Sequence, residues 1–327
     1  MTLADLAESP VSYVAYNAMR ELCDSRSQSA KVRLLADPAV EALVEELRAW
    51  PGPRISSHRS ASQFFHKLNF LADIGMGIED PGIKTITDKI LEMLDGNGVP
   101  FIAMDIPAAF GGKGENAKAW ALCDAPNILY ALKALGVVDA RLDRTAHWLA
   151  EQGNAIAFGC VVSKSLGNWR GPGKKDDPCP YATLVMLKLL LRYGDTFTKE
   201  IAACAECLLD LWASSRTKHP YIFYMGNDFR RLKLPYIWYD ILHVADVLSQ
   251  VREARADPRF LAMIDIIRAK ETQGGFVPES VYRPWKGWDF GQKTQASGWM
   301  TFCVRKIERR LSGGGSTAPE GAMGESV

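Results

Sequence analysis

Several stretches of this chain hold side chains that could do chemistry. Cys123-Asp124 sets a thiol beside a carboxyl, just ahead of Ala125-Pro126. Asp124 could serve there as an acid, or it could cap a helix. Trp238-Tyr239-Asp240 is an aromatic pair followed by a carboxyl, with His243 one helical turn on. A buried carboxyl such as Asp240 rises in pKa, which suits acid catalysis. Residues 216–233 gather Arg216, Lys218, His219, Tyr221, Phe223, Tyr224, Arg230, Arg231 and Lys233 around one acid, Asp228. Arginine pairs with phosphate through two parallel hydrogen bonds, so this stretch could hold an anion; a solvated loop with salt bridges is the alternative. Tyr282–Phe290 is dense in aromatics. It could lid an apolar cavity, with Trp288 against a ligand and Asp289 as acid or polar handle, or it could plug the fold. His58 and His66 flank a helix start, where an imidazole could act as base or ligand; core or surface placement is the other reading. Cys204-x-x-Cys207 falls inside a predicted helix rather than at its start, which points to two small buried residues rather than a redox pair.

These residues must be positioned by helices, because strand-like alternation is nearly absent. Residues 182–191 are apolar on every face, as a helix buried all round must be. Residues 197–213 carry one apolar stripe of Ile201, Ala205, Leu208, Leu209 and Trp212, with charges opposite. The same pairing of a buried helix with an amphipathic one recurs at 124–135 and 139–152, at 236–249 and 257–269, at 64–74 and 81–94, and at 11–22 and 37–49. Asp37-Pro38, Asp80-Pro81 and Asp257-Pro258 place an N-cap acid before a first-turn proline, and Asp139 and Thr196 fill the equivalent positions. The pattern is an imperfect repeat of helical hairpins. Because the first helix of each pair is apolar nearly all round, closure into a double ring is expected rather than an open solenoid. The starts of the inner helices would then meet at one mouth. Expected divisions are residues 1–60, a helical hairpin and linker belonging to the ring; 61–311, the ring itself; and 312–327, a tail disordered by composition.

From there the chain resembles the superfamily of terpenoid cyclases and protein prenyltransferase β-subunits, which are all-α, α/α toroids of about five to six such hairpins. The likeness rests on Cys123-Asp124-Ala125-Pro126 through Leu135-Gly136, on Trp148-Leu149-Ala150-Glu151-Gln152 with the Phe158-Gly159 loop, and on Lys270-Glu271-Thr272-Gln273-Gly274-Gly275-Phe276. It spans roughly residues 60–311 by pattern and looks like the bacterial prenyltransferase-like branch. The Asp-x-Asp-Asp motif of squalene-type cyclases is absent, and Asp176-Asp177 continues as Pro-Cys-Pro instead of a class I magnesium motif. The resemblance implies a zinc site of Asp177, Cys179 and His243, although Asp240 rather than His243 occupies the family's histidine slot. It also implies diphosphate contacts from Tyr224, Arg230 and Arg231, and a cavity wall of Trp238, Tyr239, Trp288 and His66. Asp124, Asp240 and Asp289 are the candidate acids.

Lys plus Arg is 39 against 38 Asp plus Glu, a net charge of +1. That argues against bulk nucleic-acid binding. No run of about 18 apolar residues and no export signal is read, so a cytoplasmic protein is expected. Nine Trp, thirteen Phe and ten Tyr supply either core or cavity wall. Trp50, Trp148 and Trp212 end second helices, where they should seal the layers. Trp238, Trp288 and Trp299 fall at or before inner-helix starts. The expected function is an enzyme acting on a small apolar substrate, isoprenoid-like or polycyclic, in a central cavity, with zinc assistance if the metal set holds. A metal-dependent lyase or hydrolase for a small aromatic or polar substrate, and a non-catalytic helical-repeat binding protein, are the alternatives.

Overall fold

A computed structural model describes residues 1–55, 57–106, 117–154, 156–167, 169, 177–220 and 223–313. Tyr221, Lys174, Lys175, Asp176 and the tail from residue 314 lie outside them. The described chain is mostly helical. The helices are α1 (Leu3–Ala7), α2 (Ser12–Leu22), α3 (Gln28–Leu35), α4 (Pro38–Leu47), α5 (Phe64–Asp73), α6 (Ile83–Leu91), α7 (Ala125–Ala134), α8 (Ala140–Ala150), α9 (Pro180–Leu190), α10 (Thr198–Ala213), α11 (Ile241–Leu248), α12 (Pro258–Arg268) and α13 (Gly298–Leu311). Two small antiparallel pairs interrupt them: β1 (Ile102–Met104) with β2 (Ala117–Ala119), and β3 (Glu271–Thr272) with β4 (Gly275–Phe276).

The apolar helices are buried as their composition requires. Every residue of α9 is buried, from Pro180 to Leu190. Each leucine taken from water there contributes roughly 1.5–3 kcal/mol, which is why a helix with a weak amphipathic pattern still holds its place. α5, α7, α9, α11 and α13 pack on one another in that order, and α13 packs on α2. α2 in turn reaches α5: Asn17 Nδ2 donates to Ile74 O at 2.8 Å, and the Tyr13 and Phe70 rings lie 5.9 Å apart. Three of the expected amphipathic partners pack as paired, α8 on α7, α10 on α9 and α12 on α11, whereas α4 packs on α5 rather than on α2.

Three expected acid caps are present, with Asp37, Asp139 and Asp257 accepting from Ala39, Arg141 and Arg259 N–H. The other two are not. Asp80 instead accepts from Lys31 Nζ and Gly77 N, so Gly82, at φ +83°, opens α6. A 3₁₀ stretch, Leu191–Phe197, runs into α10, so Thr196 caps nothing. α11 begins at Ile241 rather than near 236, because Asp240 caps it. α1 and α3 carry one and two buried side chains respectively, too few to leave a periodic signal.

Candidate functional site

The starts of α5, α7, α9 and α11 carry most of the side chains capable of chemistry. Ahead of α7, the chain turns so that Asp124 points back. Its carboxylate accepts Ala121 N–H at 3.0 Å and meets His58 Nε2 at 2.8 Å. Asp124 is fully buried, while the His58 side chain is 10% exposed and lies nearer solvent. Burial pushes the Asp124 carboxyl up, and the His58 ring and the Ala121 N–H pull against it. His58 is fixed in turn by its own carbonyl, which accepts from His66 Nε2 at 2.9 Å. The Trp169 ring lies 6.3 Å from the His58 ring. Asp124 therefore makes no side-chain cap to α7; it holds an imidazole.

Two thiols stand beside this pair. Cys179 caps α9, its Sγ accepting Ala182 N–H at 3.5 Å. The neighbouring Cys123 thiol, with the α9 backbone N–H groups, pulls Cys179 below the ordinary thiol range despite burial. Cys123, beside Cys179, buried and next to Asp124, is pushed up. Both residues are half-buried. The aromatic wall here is Trp238, half-buried, 4.2 Å from the Tyr181 ring and 5.8 Å from Phe223, with the Arg59 guanidinium 5.4 Å over its face. Tyr239 turns away into the core against Phe229, at 5.1 Å.

The other two carboxylates are engaged differently. Asp240 Oδ1 accepts Leu242 and His243 N–H, both at 3.1 Å, while Oδ2 is buried without a partner. Burial raises this carboxyl to about 7. Asp289 braces the start of α13, whose N-cap is Ser297, accepting from the Ser297 hydroxyl and from Trp299 N–H at 2.8 Å. Trp288 packs 4.7 Å from Phe70 in a cluster with Tyr13, Trp285, Phe290 and Trp299, so segment 282–290 seals the fold between α2, α5 and α13.

The basic stretch is dispersed. The Arg230 guanidinium lies 5.2 Å over Trp212, Arg231 sits 3.9 Å from Asp228, and the half-exposed Tyr224 faces His219 at 5.4 Å. The zinc set is dispersed too. Asp177 lines a surface cavity of about 640 Å³ with Cys207 and His219. His243 hydrogen-bonds Trp238 O through Nδ1 at 2.9 Å and stacks on Tyr236 at 4.8 Å. Among the described residues, no group of three or more His, Cys, Asp or Glu side chains could hold a metal ion, and Asp177, Cys179 and His243 do not form such a group. Cys204 and Cys207 are buried in α10, which raises both thiols, Cys207 to about 12.

No protein-family model and no curated protein sequence matches the chain. Its chemistry must be read from the residues themselves.

One set of residues escaped the sequence reading: polar side chains on the apolar helices. Asn69 Nδ2 donates to Asn127 Oδ1 at 3.1 Å, and Asn127 Nδ2 donates to Tyr181 OH at 3.2 Å. One or two turns further along, Lys188 Nζ donates to both Asp73 oxygens at 3.3 Å, with Tyr130 OH on Asp73 at 2.8 Å and its ring 4.0 Å from the ammonium. Asp246 meets Lys306 at 3.3 Å and Arg310 at 3.0 Å, and these cations hold it far below the ordinary carboxyl range. These polar side chains adjoin His66 and His243, which the sequence did single out and which are buried and neutral, each lowered to about 3 by burial. The signal was present as spacing: 66, 69 and 73; 127 and 130; 181 and 188; 243 and 246; 303, 306 and 310. Those are the i, i+3 and i+7 positions of one helix face.

Proposed function

We propose that this chain is an α/α-toroid enzyme acting on an apolar, isoprenoid-like or polycyclic substrate at the mouth formed by its inner-helix starts. The closed succession α2, α5, α7, α9, α11, α13 and back to α2, with amphipathic helices outside, supports the ring. The observation that carries the chemistry is the His58–Asp124 pair, 2.8 Å apart, with the carboxylate buried and the imidazole nearer solvent. Asp124 orients the ring with Nε2 as donor, so Nδ1 is the basic nitrogen available to accept a proton from a substrate and return it. Asp240 caps α11 with one oxygen and keeps the other sealed from solvent, and Asp289 braces the start of α13, which favours Asp124, with its imidazole partner, over both as the functional carboxylate. Trp238, with the Arg59 guanidinium over one face, supplies an aromatic wall with a positive edge.

The test is incubation of purified protein with farnesyl diphosphate, geranylgeranyl diphosphate and squalene, with products read by mass spectrometry. Turnover is expected for the wild type, and Asp124→Asn should lower it by roughly 10²–10⁴, the range of general acid–base catalysis. Turnover undiminished in Asp124→Asn, or no consumption of any of the three substrates, refutes the reading. The same mouth belongs to a reduced cytoplasmic protein on this proposal, in keeping with its free cysteines.

A further inference from the structure

We infer that the cleft between α6 and α8 binds a short peptide, a dipeptide or tripeptide with both termini free and an apolar side chain. The inference does not depend on the isoprenoid reading, and the cleft shares no lining residue with the His58–Asp124 site. Its cavity is about 940 Å³, at the upper end of small-molecule sites. Asp88, Leu91 and Glu92 at the end of α6 form one wall. Arg141, Arg144 and Trp148 on α8 form the other, and the turn from Leu94 to Gly98 lies between them.

The walls are fixed to one another. Arg141 Nη1 donates to Leu91 O at 3.3 Å, and Thr145 Oγ1 lies 2.9 Å from Gly98 O. Gly98 holds φ +79°, and a Cβ there would meet Thr145 Oγ1 at 2.5 Å, so the turn rests directly on α8. Asp95 pins the turn: Oδ1 accepts Asn97 and Val99 N–H at 2.8 and 2.9 Å, and Oδ2 accepts Trp120 Nε1 at 2.8 Å. The Trp120 ring meets Trp148 edge-on, 5.4 Å away. A ligand therefore enters a cleft whose shape is already set, which lowers the cost of binding.

The charges decide the ligand. Of the five charged residues lining the cleft, three are already engaged: Asp88 with Lys84 at 2.8 Å, Asp95 with Trp120 at 2.8 Å, and Arg141 with Asp139 at 2.7 Å. The side chains of Glu92 and Arg144 are exposed and make no hydrogen bond or ion pair among the described residues. One free carboxylate thus stands on the α6 wall and one free guanidinium on the α8 wall, so the complementary ligand carries one positive and one negative group. Arg144 takes the terminal carboxylate, and Glu92 takes the terminal ammonium. Leu91, Leu94 and Trp148, all half-buried, offer apolar surface to the side chain. A single amino acid carries both charges on one carbon, whereas the free charges here stand on separate helices. A phosphate ester would bring its charge against Asp88, Glu92 and Asp95, which disfavours a nucleotide.

The experiment titrates leucyl-phenylalanine into the full chain by isothermal calorimetry, with its N-acetylated and C-amidated forms and guanosine monophosphate as comparisons. Saturable binding is expected, with the free dipeptide about 5-fold tighter than either capped form, the scale of exposed ion pairs. Arg144→Gln should weaken the free and acetylated dipeptides about 5-fold and leave the amidated one unchanged; Glu92→Gln should weaken the free and amidated dipeptides and leave the acetylated one unchanged. Both side chains are exposed, so each variant should keep the wild-type far-ultraviolet spectrum. No binding of the free dipeptide, a capped form that binds as tightly, a variant that binds the free dipeptide as well as the wild type does, or tighter binding of guanosine monophosphate overturns the inference.

Discussion

Replacing Asp240 with asparagine isolates one buried ionisation. Asp240 caps α11 with one oxygen and leaves the other buried and unpartnered, so its carboxyl rises from 3.8 to about 7. A carboxyl raised in the folded state binds its proton more tightly there than in the unfolded chain. The stability this contributes is full below about 3.8 and is lost as pH rises through about 7. At roughly 1.36 kcal/mol per pKa unit, the whole span is ~4 kcal/mol, and ~2.5 kcal/mol of it falls between pH 5 and pH 8. Asparagine keeps the acceptor for the α11 N–H groups and has no proton to lose. His66 and His243 move the opposite way below pH 6.5, since a histidine held neutral must charge on unfolding. The difference between the two proteins, rather than the wild-type curve, therefore reports Asp240. Urea unfolding at pH 5 and pH 8 should show Asp240→Asn gaining on the wild type by about 2.5 kcal/mol as pH rises. A difference that stays flat with pH would refute the reasoning, because Asp240 would then be ionised at both pH values.

Two further outcomes follow from the same geometry. Lys188→Met leaves the half-buried Asp73 without its cation and should cost roughly 1.5–3 kcal/mol by chemical denaturation, and adding Asp73→Asn should recover much of it. Asp289→Ala removes the acceptor for Ser297 and Trp299 at the start of α13 and should cost about 0.5–2 kcal/mol, read as a lowered Tm with the far-ultraviolet spectrum unchanged.

The helices were legible in the sequence where burial was extreme or capping was local. α9 read as buried because no face of it is polar, and Asp37, Asp139 and Asp257 marked real starts because a cap is an interaction within three residues. Asp80 misled because a distant lysine, Lys31, competes for its carboxylate. Asp124 was singled out, but its partner His58 lies 66 positions away, a pairing that no local pattern encodes. The interior polar residues were readable as spacing. They were passed over because one lysine or asparagine among many leucines hardly alters a helix's apolar character.

The contact of α2 with α13 has a bearing on how the chain is made. Arg309 Nη1 donates to Glu21 O at 2.6 Å across 288 positions of sequence. Closing so long a loop costs little more entropy than closing one half its length, about 0.6 kcal/mol. The cost falls on timing instead. A nascent chain has synthesised α2, α5, α7, α9 and α11 long before α13 exists, and until then α2 and α11 each lack a neighbour. Chains arrested before residue 298 should therefore bind a hydrophobic dye that the full chain excludes. Among the described helices, the latest made, α13, is the one that lets α2 settle.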